Sequence, residues 1–121
     1  MNITNSVLVD VRNFLNVGKD SDAFDGEIIP HIIASLGTLS QNGVAVPRYV
    51  DTQTTWVDVI SPEMVVNTEV FAMLPLFVMM NTKLFFDPPP PSSAEYYKGR
   101  IDEMLWRLRV VYNNREEVVD E

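Results

Sequence analysis

Few side chains in this sequence are of a type, or at a spacing, that could do chemistry. His31 is the only histidine and the chain has no cysteine, so a disulfide framework and a thiolate metal site are both excluded. A catalytic or metal-binding His31 would need a nucleophile, a carboxylate or further ligands at suitable spacing, and none stands beside it in its isoleucine-rich surroundings. It reads as a structural or interface histidine. The acidic run Asp20-Ser21-Asp22-Ala23-Phe24-Asp25-Gly26 has the look of a calcium loop. Counting from Asp20, however, Phe24 takes the fifth position, Asp25 the place of the glycine and His31 that of the bidentate glutamate, so calcium is rejected. Met64, Met73, Met79 and Met80 read as core filler, since a methionine metal site needs exposed, convergent sulfurs. There is no glycine-rich phosphate loop and no serine with a plausible triad. The sequence therefore predicts no enzyme, no metal and no cofactor.

The elements that position these residues are arranged around a proline-rich hinge. Asp87 precedes Pro88 and is pushed out of the helical region, so an apolar helix arriving through Leu84, Phe85 and Phe86 must stop there. Pro88, Pro89, Pro90 and Pro91 favour an extended, semi-rigid spacer of roughly 12 Å, because they lack the amide hydrogens that a helix needs. Ser92 or Ser93 then restarts a helix, with Ser92-x-x-Glu95 as a capping box. Ala94, Tyr97, Ile101, Met104, Leu105, Leu108 and Val111 form one apolar stripe along it to about Asn113. Its polar side carries Arg100, Arg107, Arg109 and Arg115, with Glu103 and Arg107 in the favourable i, i+4 order. Tyr96, Tyr97, Trp106 and Tyr112 are more aromatic surface than one stripe can bury, and some are expected at a subunit contact. The acidic tail, about residues 114–121, is expected to fray without a partner.

Upstream, Asn5 or Ser6 caps a short helix with Val7, Val11, Phe14 and Leu15 on its apolar edge, Asp10, Arg12 and Asn13 on its polar side, and Gly18 as the stop. A second helix begins at Asp22 and runs to Gly43, with Pro30 either kinking it or marking its true first turn. From Gly43 to Ser61 the residue types favour extended structure, and Pro47 demotes any strand to an edge. A loop this long is usually functional, which makes Tyr49 and Trp56 contact candidates. Trp56 either pins the loop to the core or meets another subunit. Ser61-Pro62-Glu63 starts a third, central helix that reaches Phe86, with a kink expected at Pro75. The result is an all-α domain, a four-helix bundle with a long irregular loop between the second and third helices.

At 121 residues the chain makes one domain. A net charge of −8 with only nine lysines and arginines is unlike that of a nucleic-acid reader, which needs a basic surface. The apolar run Val70–Met80 is shorter than the roughly 20 residues that cross a bilayer, so it reads as a buried helix and no membrane partner is expected. Met1-Asn2-Ile3-Thr4-Asn5 lacks the regions of a signal peptide.

One further pattern spans most of the chain. An apolar helix ending in Leu84-x-Phe86-Asp87-Pro88-Pro89, a serine turn, and an amphipathic helix closing on Glu103-x-x-Trp106-Arg107-Leu108 resembles the head-to-tail connector (adaptor) proteins of tailed bacteriophages. The likeness extends more loosely to Val11-Arg12-Asn13-Phe14-Leu15, Asp22-x-Phe24-Asp25, Leu39-x-Gln41-x-Gly43-Val44 and Thr55-Trp56, roughly Val7 to Tyr112. The resemblance implies a virion structural protein at the head-tail junction, assembled in the bacterial host cytoplasm. Its implied partners are a portal protein, a tail-side connector or stopper protein, and further copies of itself in a ring of twelve beneath the portal. DNA would pass through that ring without sequence-specific binding. Without the resemblance, a small helical adaptor or regulator of the host cell is the alternative reading.

Overall fold

The computed structural model of the chain describes residues 5–18, 21–60, 64 and 67–119, with side chains described as far as residue 113. Five helices form among these: α1 (Val7–Phe14), α2 (Asp25–Gln41), α3 (Trp56–Val59), α4 (Thr68–Phe86) and α5 (Pro91–Val119). The four long ones are the expected bundle, and α1, α2 and α5 each pack on α4. α4 can occupy the centre because its apolar residues surround it: Val70, Leu74, Phe77, Val78 and Met79 are all fully buried. By length and composition alone α4 is long and apolar enough to cross a membrane, and half of that stretch is buried within the bundle.

Helix ends are set by local chemistry, and several of them differ from expectation. Ser6 caps α1, its hydroxyl accepting from the Val9 amide at 3.3 Å. α1 stops at Asn16 rather than Gly18. Asn16 takes the left-handed conformation (φ 61°), and the amides of Asn16 and Val17 donate back to the carbonyls of Asn13 and Arg12 in a Schellman motif. Gly43 (φ 89°) ends α2 in the same way, and Val44 closes the motif against Leu39 in the core. α2 itself begins at Asp25, three residues later than expected, which places Pro30 inside the helix. α4 is capped by Asn67, whose Oδ1 accepts from the amides of Glu69 and Val70 at 3.0 and 3.1 Å. The expected start at Ser61-Pro62-Glu63 lies outside the described residues. Pro75 is buried and α4 continues through it without interruption.

The hinge is shorter than four prolines. α4 ends at Phe86, where Lys83 reaches the Asp87 carboxylate at 3.2 Å, and only Asp87, Pro88, Pro89 and Pro90 separate the two helices. The Pro90 carbonyl accepts the first α5 bond, from Ala94 N at 2.8 Å, so Pro91 is the first helical residue. A missing amide costs nothing there and the fixed φ suits the helix. Ser92 and Ser93 consequently lie inside the first turn instead of capping it. At 29 residues α5 is about 43 Å long, longer than the expected helix to Asn113, and it absorbs the tail as far as Val119.

The long excursion contains no strand among the described residues. Its order comes from a backbone clasp: Val7 N donates to Thr54 O and Trp56 N to Asn5 O, at 3.2 and 2.9 Å, around an antiparallel bridge between Ser6 and Thr55. Thr55 then caps the single-turn α3 in a reciprocal box with Asp58. The Thr55 amide, followed by its hydroxyl, holds the exposed Asp58 carboxyl below its usual pKa.

One core polar atom is out of place. Thr82 Oγ1 is fully buried in α4 and has no hydrogen-bond partner among the described residues. Replacing a buried hydroxyl that makes no bond by a methyl of similar shape removes a desolvation cost, so Thr82→Val is expected to stabilise the fold by about 1 kcal/mol. Urea unfolding measures it, and a loss of stability would reveal a partner for that hydroxyl.

Candidate interaction surfaces

The nine contact candidates divide sharply once the bundle is closed. Trp56 lies in the core, fully buried, and its Nε1–H donates to Asp10 Oδ2 at 2.8 Å. Of its two readings the pin is the one the fold realises, and the indole has no surface left to offer a neighbour. Asp10 is likewise buried instead of on the polar side of α1, because the clasp draws Trp56 down over it. Tyr112 is also buried at the far end of the α5 stripe. The side chain of Arg115 lies outside the described residues.

The remaining candidates stay outside. Tyr49 is 69% exposed, and Tyr96 and Trp106 are each 63% exposed. α5 buries Ile101, Met104 and Leu108, and Trp106 and Val110, one turn apart, sit on the opposite side of the helix. Trp106, Arg109, Val110 and Asn113 line a shallow depression there. Arg100 pairs with Glu103 at 2.7 Å, and Arg107 reaches Glu69 at the start of α4 at 3.0 Å, as antiparallel α4 and α5 allow. Such exposed pairs contribute little stability. Arg109 is exposed and makes no ion pair among the described residues.

A second surface went unnoticed in the sequence. His31, Ala34 and Thr38 of α2 and Asn81 and Phe85 of α4 line an open groove of about 340 Å³. Phe85 is 63% exposed at its edge, while Phe86 turns inward and meets the rings of Phe24 and His31 edge-on, at 6.0 and 6.1 Å. Adjacent residues on a helix point about 100° apart, so Phe85 and Phe86 could not both join the core. That signal was present in the sequence. Beneath the groove, Asn81 Nδ2 donates to Ser35 Oγ at 2.8 Å and so fixes the spacing of its two walls. Among the described residues no three His, Asp or Glu side chains converge as metal ligands. The arrangement offers apolar surface with a few polar groups, which suits the binding of protein rather than a reaction.

The model of the phage connector protein family matches residues 7–115, nearly the whole chain. The chain belongs to the phage connector protein family. No curated protein and no solved structure matches it. As a phage connector it is a virion component of a structural class, and membership of the family points to interaction with other phage head and tail proteins.

Proposed function

We propose that this connector forms a ring beneath the portal protein, extends the DNA channel and joins the capsid to a tail-side connector or stopper protein. The family match carries the reading, and the aromatic surface left over once the core is complete supports it. A chain of net charge −8 suits a channel lining, because like charge keeps passing DNA from sticking. Among the described side chains, Tyr49, Tyr96, Trp106, Arg100, Arg107 and Arg109 are the residues available for contacts with neighbours. The Asp87–Pro90 hinge sets the angle at which α5 presents its share of them.

The same charge sets when the ring forms. Copies placed side by side repel within a Debye length of roughly 8 Å at physiological salt, and a portal surface would supply the missing free energy. The isolated connector is therefore expected to sediment mainly as a monomer in dilute solution, with rings, of twelve on a twelve-subunit portal, appearing on the portal, at high concentration or at high salt. Analytical ultracentrifugation with and without the phage's own portal protein tests this. A stable closed ring at micromolar concentration without a portal would overturn the order of assembly, and no association with the portal would overturn the function.

A further inference from the structure

We infer that the outward face of α5 on one copy docks into the α2/α4 groove of the next, with Trp106 as the knob and the groove beside Phe85 as the hole. The inference rests on the ring reading above and names the contact that would build it.

Three observations converge. The knob is apolar and unpartnered: Trp106 and Val110 project one turn apart from the side of α5 that faces away from α4. The hole is of matching chemistry, about 340 Å³ of open groove with Ala34 on one wall and the exposed Phe85 ring on the other. Charge supplies the third. Arg109 flanks the knob, and Glu27 stands one helical turn before the groove residue His31 on the same face of α2; both are exposed, and neither makes an ion pair among the described residues. α5 is also where a second copy would find cations, since Lys98, Arg100, Arg107 and Arg109 are four of the chain's nine basic residues.

Knob and hole are different surfaces of one chain, so the contact is heterologous. A heterologous contact repeats from copy to copy and closes into a ring when its rotation allows, whereas a self-complementary patch stops at a dimer. One aromatic knob buries about 150–250 Å², well below the area of a stable standard interface. That smallness fits a contact too weak to hold copies together in dilute solution yet sufficient once a portal arrays them.

The chain has no cysteine, so an engineered pair reports the contact cleanly. Ala34→Cys combined with Val110→Cys, assembled with the phage's portal protein and oxidised, is expected to give a ladder of disulfide-linked multimers, and neither single variant should give more than traces of dimer. Efficient dimers from Val110→Cys alone would show a two-fold α5 contact and overturn the inference. Rings without the ladder would overturn it while leaving the ring intact, and absence of any ring would overturn both. A charge test runs beside it: Arg109→Glu is expected to weaken association by about tenfold, and adding Glu27→Arg to restore it to within about threefold. Failure of the second change to rescue the first would remove Glu27 and the groove from the contact. Trp106→Ala should weaken association by roughly thirtyfold with an unchanged urea midpoint, and unchanged association would dismiss the knob.

Discussion

Trp56→Ala is expected to remove about 3–5 kcal/mol of folding stability, a large share of the about 5–15 kcal/mol that holds a domain of this kind together. The indole is fully buried, so its removal leaves a cavity that the clasped loop cannot fill while Val7 and Trp56 keep their backbone bonds. The hydrogen bond to Asp10 disappears with it, leaving a buried acceptor without that donor, which costs about 1–3 kcal/mol. Trp56→Phe separates the two effects, because it keeps most of the ring and loses only the N–H and part of the volume. It should cost about half as much as alanine, and pairing it with Asp10→Asn should show the two changes to be strongly non-additive. Urea unfolding measures all three variants. An unchanged midpoint for Trp56→Ala would mean that the side chain is not in the core at all. In particles, incorporation is expected to fall in step with folding, the opposite of what a surface contact would do.

Arg12→Ala should cost about 2 kcal/mol, the largest effect expected of any ion pair among the described residues. Arg12 Nε donates to Asp25 Oδ1 at 3.0 Å and Nη2 to Oδ2, a two-pronged grip between the polar side of α1 and the first residue of α2. The two side chains are only 12% and 16% exposed, unlike Arg100–Glu103 and Arg107–Glu69, which are open to solvent. Limited exposure means limited screening, so the difference should persist in 1 M salt, where the Debye length is about 3 Å. Asp25 also sits in the first turn of α2, where the helix dipole favours its charge. Arg12→Lys should recover less than half of the loss, since an ammonium cannot make both bonds in the plane of the carboxylate. Salt titration of the unfolding midpoint checks the prediction. A deficit that vanishes at high salt would reduce the grip to an ordinary surface pair.

Much of this protein was decided within single stretches of sequence. The period of the apolar residues specified α1, α2, α4 and α5. The stop before Pro88 followed from steric exclusion at the preceding residue, and the all-round apolarity of the segment through Phe77 made it the centre of the bundle. Membership of the connector family was legible too, because the helix, proline and second-helix pattern is local in the chain. Helix boundaries were less so. Asn16 and Pro91 each compete with a stronger-looking neighbour, Gly18 or Ser92, and the choice depends on which backbone donors find carbonyls. Only the tertiary structure could decide the fate of the aromatics. Trp56 is buried because the loop is clasped to Asn5 and Val7, some 50 residues away in sequence, and this brings a tryptophan N–H onto an aspartate that helical periodicity had assigned to water. The groove beside Phe85 exists because two helices that are not neighbours in sequence lie side by side, with Ser35 and Asn81 setting the distance. Periodicity tells which side chains leave the solvent together; what they meet there, and which large ones remain outside, depends on contacts between distant segments that no local pattern encodes.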